Sequence, residues 1–108
     1  MQAAERIIVR DGQVGVERKR EAVWRCALED IVRIEAYKRD QTVVDLICFD
    51  IWYDAGGETW MVTAHEDLDG WEDLTARLAT LDGFDAEWFA KVSQPPFAEC
   101  RTRVYIRR

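Results

Sequence analysis

The residues that could do chemistry are few in this sequence, and their spacing matches no known catalytic motif. His65 is the only histidine, and no serine or cysteine stands near it in the sequence as a nucleophile for it to activate. Asp50 lies between Phe49 and Ile51 in an apolar segment, and buried carboxylates with shifted pKa values cluster in functional sites. An enzyme that uses Asp50 or His65 is the weakest of three functional hypotheses.

The cysteines do not form a metal motif. Cys26, Cys48 and Cys100 are widely spaced, and together with His65 they lack the close pairs of a zinc site. An odd number of dispersed cysteines also gives no disulfide framework, which fits a reducing compartment. We predict no metal and no cofactor, and we expect Cys26 and Cys48 to be small buried hydrophobes within strands.

Two charged segments are candidates for binding. The acidic one begins a predicted helix and contains Asp67, Asp69, Glu72 and Asp73. Acids at that place stabilise the helix dipole, and the same face could meet a basic partner. The basic one is the alternating segment with Arg101, Arg103, Tyr105 and Arg107. It could bind phosphate, RNA or an acidic protein, or its arginines could pair with the surplus acids of the chain itself.

Aromatic residues supply a further group of candidate contacts. The chain has five tryptophans among 108 residues, which argues against disorder. Trp71 and Trp88 lie on apolar helix stripes and are predicted core residues. Trp52 and Trp60 lie on predicted strands, and an exposed tryptophan beside Tyr53 would mark an interface, because Trp and Tyr are frequent hot spots.

The first half of the chain has the pattern of β-strands. Asp11-Gly12 is a strong signal for a two-residue hairpin turn. Residues 31–38 fit the spacing of a helix or a strand, and their β-branched and aromatic side chains favour a strand. Residues 42–53 are apolar on both faces, which predicts a central strand, and Gly56-Gly57 closes the next hairpin.

The second half changes to helical spacing. Leu68, Trp71, Leu74 and Leu78 predict an amphipathic helix over about 68–81, with Asp69 as its N-cap. A second helix is predicted over about 85–92, ended by Pro95-Pro96, and a final strand over about 101–107. About six to seven strands, mostly before the helices, predict an α+β fold with an antiparallel sheet in a single domain, 1–108.

Part of the chain resembles a known family. Over roughly residues 20–80, Trp24, the 34–38 segment, Asp45, the Gly56-Gly57 turn and the helix that begins near Gly70 are similar to small bacterial pleckstrin-homology-like domains. That resemblance implies a strongly bent antiparallel sheet closed by a helix, in a fold that hosts lipid, peptide and protein binding. In size and charge the chain is also similar to bacterial toxin immunity proteins, which implies a toxin as partner.

Composition narrows the functions further. Acids outnumber bases 21 to 15, and the net charge of −6 disfavours nucleic acid as a partner. No apolar run approaches the roughly 20 residues of a membrane-spanning helix. The first residues lack the pattern of a signal peptide, so we expect a cytoplasmic location.

The leading hypothesis is a non-enzymatic protein-binding domain, acting alone or as a homodimer. Its most specific form is an immunity- or inhibitor-type partner of a basic protein, because a charge of −6 speeds association with such a partner. The alternative is a small-ligand or phospholipid-head-group module of the pleckstrin-homology-like kind, in which Arg101, Arg103 and either Lys38 or Arg39 bind the anion. Peripheral contact with anionic lipid therefore stays open.

Overall fold

The computed structural model describes residues 4–41, 44–93 and 101–107. Pro95, Pro96 and Cys100 lie outside this part of the chain. The described residues form an α+β fold of seven strands, two helices and a short 3-10 helix, Leu28–Asp30. The elements are β1 (Glu5–Arg10), β2 (Gln13–Arg18), β3 (Glu21–Ala27), β4 (Ile31–Gln41), β5 (Val44–Ala55), β6 (Glu58–His65), α1 (Trp71–Leu78), α2 (Trp88–Ser93) and β7 (Thr102–Ile106).

The strands form two antiparallel sheets, whereas the sequence predicts one. The first has the order β1-β2-β3, and the second has the order β6-β5-β4-β7. Asp11 and Gly12 close the first hairpin with φ values of 52° and 72°, which confirms the predicted turn. The segment that begins at Ile31 is a strand, as its side chains predict, and β5 lies inside its sheet between β4 and β6.

One core joins both sheets and both helices. Val14 and Val16 reach it from β2, Ile34 from β4 and Ile51 from β5, and all four are buried. Its largest fully buried side chain is Phe49, whose ring centroid lies 4.8 Å from those of two tryptophans. These are Trp71 of α1 and Trp88 of α2, which are partly buried and pack against the core as the sequence predicts.

Both helices are shorter than predicted. The first begins at Trp71 rather than 68, because Gly70 at a φ of 91° is its N-cap, so the prediction of Asp69 as N-cap is wrong. The backbone carbonyl of Asp69 instead accepts a hydrogen bond from the Ile7 amide at 2.7 Å. Helix α1 ends at Leu78, and backbone hydrogen bonds between residues three apart continue to Phe84. None of the helices in the described residues is long and apolar enough to cross a membrane.

The predicted alternation of the last strand fails at Val104. In the pairing of β7 with β4, Tyr105 lies opposite Ile34 and Arg103 lies opposite Glu35. Val104 has no partner of its own in β4 and forms a β-bulge. Both Val104 and Tyr105 are consequently buried, at 2% and 8% exposure. Tyr105 therefore belongs to the core and not to an exposed basic face.

Candidate interaction surface

The four-stranded sheet has a face that points away from the shared core, and we call it the outer face. Directly opposite residues of neighbouring strands lie on the same face of a sheet. The register places Ile106 opposite Arg33, Arg33 opposite Trp52, and Trp52 opposite Met61. These four residues, which we call the outer-face row, cross all four strands.

The outer-face row is largely apolar and open to solvent. Met61 is 51% exposed and Ile106 is 45% exposed at the two edges of the sheet. Between them the guanidinium of Arg33 lies 5.2 Å from the ring centroid of Trp52, a cation–π distance. The row thus combines two exposed apolar side chains, a tryptophan and one cation on a nearly continuous line.

Beside this row lies a buried pair of carboxylates. Glu35 and Asp50 are cross-strand partners, and their side chains are only 10% and 7% exposed. Nη1 of Arg101 lies 2.6 Å from Oε1 of Glu35 and 3.1 Å from Oδ2 of Asp50, so one guanidinium bridges both acids. The other carboxylate oxygen of Glu35 accepts a hydrogen bond from Arg33.

The remaining oxygen of Asp50 is also occupied. It accepts hydrogen bonds from the Tyr37 hydroxyl at 3.0 Å and from Oγ1 of Thr63 at 2.7 Å. The guanidinium of Arg101 lies over the Tyr37 ring, 4.1 Å from its centroid. All four oxygens of the carboxylate pair therefore accept hydrogen bonds. The hydrogen-bonding capacity of both carboxylates is thus used within the sheet, and the arrangement gives no support to Asp50 as a general base.

The electrostatics of this cluster favour its charged form. Burial raises the pKa of Glu35, but the hydrogen bonds from Arg101 and Arg33 outweigh burial and leave that pKa below its ordinary value. The hydrogen bond with Glu35 raises the pKa of Arg101 above its ordinary value. These shifts favour the charged forms of Glu35 and Arg101, which form an ion pair.

His65 and Cys48 are cross-strand partners, a neighbourhood that sequence spacing does not reveal. Cys48 is fully buried in a small cluster with Tyr37 and Leu46. Burial raises the pKa of the Cys48 thiol, whereas a nucleophilic cysteine needs a lowered one. Burial also raises the pKa of Cys26 to about 12. Cys26 and Cys48 are free and buried, which confirms that they are small core hydrophobes.

Four exposed acidic residues lie in the segment after β6 and in the first turn of α1. We call Asp67, Asp69, Glu72 and Asp73 the acidic cluster. Within the described ranges none of the four has a basic group within 4 Å, the limit for an ion pair, and with Trp71 three of them line an open hollow. The acidic cluster is therefore available to a partner.

The predicted basic surface is largely engaged within the molecule. Besides Arg101, Arg107 donates to Oδ2 of Asp54 at 3.0 Å. Arg103 is exposed on β7. Lys38 lies on the core side of β4, where its Nζ is 3.2 Å from the Ser93 carbonyl oxygen and 3.6 Å from Asp45. Arg101 and Lys38 are thus on opposite faces and do not form one anion site.

The other two predicted aromatic contacts lie near the β5–β6 hairpin. Tyr53 and Trp60 are cross-strand partners on the core side of the sheet. Tyr53 packs partly against the core, whereas Trp60 is 50% exposed and its indole N–H lies 3.4 Å from the Ala55 carbonyl oxygen. Of the two, Trp60 has the more accessible surface for a partner.

Known proteins give no guide to this surface. A comparison of the chain with models of known protein families, with characterised proteins and with solved structures found no match. Among residues 4–41, 44–93 and 101–107, no three His, Cys, Asp or Glu side chains are grouped so that they could hold a metal ion. Function must therefore be argued from the geometry of the chain itself.

Proposed function

We propose that this protein is a non-enzymatic protein-binding domain, an immunity- or inhibitor-type partner of a more basic protein. One observation carries the proposal: the acidic cluster has no ion-pair partner among the described residues, whereas Arg101 and Arg107 are paired with acids of the chain itself. The acidic cluster therefore offers a partner four exposed carboxylates within seven residues.

Charge and apolar contact have different roles in this proposal. The net charge of −6 steers a basic protein towards the domain and raises its association rate. The outer-face row then supplies the desolvated contact, because Trp, Met and Arg are enriched at interfaces. Trp52 and Arg33 are the residues that we expect to contribute most of the binding energy.

The test is a tagged pull-down from the native host with three versions of the protein, quantified by mass spectrometry. The first is the wild type. In the second, the acidic cluster is neutralised by Asp67→Asn, Asp69→Asn, Glu72→Gln and Asp73→Asn. The third is a control that removes four exposed acids elsewhere by Glu21→Gln, Glu29→Gln, Asp82→Asn and Glu87→Gln.

The expected result is one stoichiometric basic partner with the wild type and the control. Its recovery with the cluster-neutralised variant falls by at least about tenfold, because contact charges matter more than the total charge. Equal recovery with both variants would show that only net charge attracts the partner. Absence of any heterologous partner, with self-association alone, would overturn the proposal.

The alternative is a small-ligand or phospholipid-head-group module with the strongly bent sheet of a pleckstrin-homology-like domain. Two of the cations proposed for its anion site lie on opposite faces of the sheet. Lys38 is on the core side, and Arg101 is held by Glu35 and Asp50 on the outer face. Arg103 and Arg39 are the exposed ones, and Arg39 interacts with Tyr37. Flotation with phosphatidylserine vesicles at low salt would support this alternative, and loss of flotation in Arg103→Gln would assign the site.

A further inference from the structure

The edge of the four-stranded sheet at β6 is unlike the other strand edges. Among the described residues β6 pairs only with β5, in unbroken register from Glu58 opposite Ala55 to His65 opposite Cys48. The six residues between Glu58 and His65 include no charged side chain and no proline. The strand is eight residues long, and its only carboxylate, Glu58, is its first residue.

The other edges carry features that discourage pairing with a further strand. Strand β1 has the charged Arg6 inside it and is bridged there by Asp69. Strand β3 has Arg25 in its sequence, and β7 has Arg103 and the additional residue Val104. Charges and bulges are the usual means of protecting an edge. Within the described part of the chain β6 is the edge that has no charge and no bulge between its end residues.

The backbone of β6 has groups available for hydrogen bonding. The two-residue turn Gly56-Gly57 makes Glu58 and Ala55 a hydrogen-bonded pair, and the pairs then alternate along an antiparallel hairpin. Thr59, Met61 and Thr63 therefore direct their N–H and C=O groups away from β5.

Side chains on both faces of this edge would gain from an added strand. Met61 ends the outer-face row at 51% exposure, and Trp60 is 50% exposed on the core side. A strand beside β6 would extend the row by one residue and cover part of Trp60. Cross-strand pairs with aromatic and apolar side chains are the main source of stability between neighbouring strands.

The acidic residues at the two ends of β6 favour a basic segment over a second copy of this chain as the added strand. Glu58 stands at its start, and Glu66, Asp67 and Asp69 follow its end at His65. If two copies of β6 paired antiparallel about a twofold axis, Glu58 of each copy would approach Glu66 and Asp67 of the other, which like-charge repulsion opposes. An extended segment with an uncharged centre and basic ends meets acids at both ends instead.

We propose that β6 binds an extended segment of the basic partner as a fifth strand of this sheet, with lysine or arginine at the ends of that segment. The inference rests on the proposed function, since it takes its partner from there. Backbone hydrogen bonds would provide affinity, and the flanking charges would provide specificity.

The probe is a synthetic peptide of six alternating valines and threonines with two lysines at each end, and its counterpart has glutamates in place of the lysines. Binding is measured by fluorescence anisotropy, and hydrogen exchange of the backbone amides is followed by NMR. We expect the lysine peptide to bind at least about tenfold more tightly than the glutamate peptide. It should slow exchange at Met61 and Thr63 by at least about tenfold.

Two variants locate the contact. Met61→Lys places a charge at the centre of the edge and should abolish peptide binding, whereas Val23→Lys, at a 50% exposed site on edge strand β3, should leave it unchanged. Circular dichroism verifies that both are folded, and Trp60→Lys replaces Met61→Lys if that variant is not.

Three results would overturn the inference. They are undiminished binding by the folded edge variant, binding without slowed exchange in β6, and no binding of the lysine peptide at all. Concentration-dependent protection of β6 without peptide would assign the edge to a second copy and overturn it as well. None of these results affects the proposed function, which the pull-down with the cluster-neutralised variant tests separately.

Discussion

The basic segment around β7 and the acidic cluster carry opposite charge, and the structure uses them in opposite ways. The arginines at the two ends of β7, Arg101 and Arg107, are paired with Glu35, Asp50 and Asp54 of neighbouring strands. The acidic cluster has no ion-pair partner among the described residues, and backbone contacts hold it in place. A charged segment in the sequence therefore says little about where charge is available to a partner.

The largest expected loss of stability comes from a substitution at Gly70, which lies within the acidic cluster and packs against Ile7 of β1. A methyl group at Gly70 would lie 2.6 Å from the Ile7 carbonyl oxygen, at a φ of 91° that side chains rarely adopt. We expect Gly70→Ala to lower the free energy of unfolding by about 3 kcal/mol, from backbone strain together with the displacement of β1. Urea unfolding followed by tryptophan fluorescence measures this loss.

Gly83 is the matched control for that experiment. Its φ is 89°, and a methyl group there would meet nothing within 4 Å. Gly83→Ala should therefore cost only the backbone strain, about 1–2 kcal/mol. Equal losses for the two variants would show that the close approach to Ile7 does not anchor the acidic cluster.

The second effect concerns Arg101, the arginine that bridges the carboxylate pair. Arg101→Met leaves Glu35 and Asp50 buried with less compensation, and we expect it to cost about 2–3 kcal/mol. The loss is smaller than for a fully buried ion pair, because the Arg101 side chain is 39% exposed. Urea unfolding of Arg103→Met, in the same segment, should show a change within about 0.5 kcal/mol. A similar cost for both would contradict the assignment of Arg101 as the structural arginine.

The third effect is a dependence of stability on pH. The pKa of Glu35 is lower in the folded protein than its ordinary value, so its stabilising contribution is complete above that ordinary value, about 4.3. The contribution is lost as the pH falls through the lower folded pKa. The difference in stability between the wild type and Glu35→Gln should therefore be constant near neutrality and shrink below about pH 4.5. A difference that stays constant down to pH 2.5 would contradict the lowered pKa.

The smallest effect on stability is expected from the acidic cluster itself. Neutralising Glu72 and Asp73 removes favourable interactions with the dipole of α1, while neutralising all four acids also removes their mutual repulsion. We expect the lost dipole interaction and the relieved repulsion to offset each other, so that the free energy of unfolding from urea denaturation changes by no more than about 0.5 kcal/mol. A loss above 2 kcal/mol would mean that these acids have a structural role and are not reserved for a partner.

Local patterns in the sequence predicted the fold class well. The Asp11-Gly12 turn, the strand at Ile31 and the central position of β5 follow from turn chemistry and side-chain type, which act over a few residues. Helix boundaries were less accurate, because Gly70 ends the preceding turn and its packing against Ile7 depends on a strand distant in sequence.

The candidate surface was only partly predictable, for a physical reason. Trp52 and Trp60 and the acidic cluster were identified from residue type, but Arg33, Met61 and Ile106 were not. Their alignment depends on register across four strands, and the additional residue Val104 in β7 exchanges the positions of Tyr105 and Ile106 relative to simple alternation. Nor does any local pattern pair Arg101 with Glu35, which is 66 residues away.

The most direct test of the central claim is an NMR titration of the labelled protein with a cationic and an anionic probe. Tetralysine and inorganic pyrophosphate are added in separate experiments, and backbone amides and arginine Nε–H signals are followed. If the acids are available and the arginines are engaged, tetralysine shifts the amides of residues 67–73, and pyrophosphate leaves the Arg101 and Arg107 signals unchanged. Saturable pyrophosphate shifts at Arg101, with no tetralysine response at residues 67–73, would contradict the account.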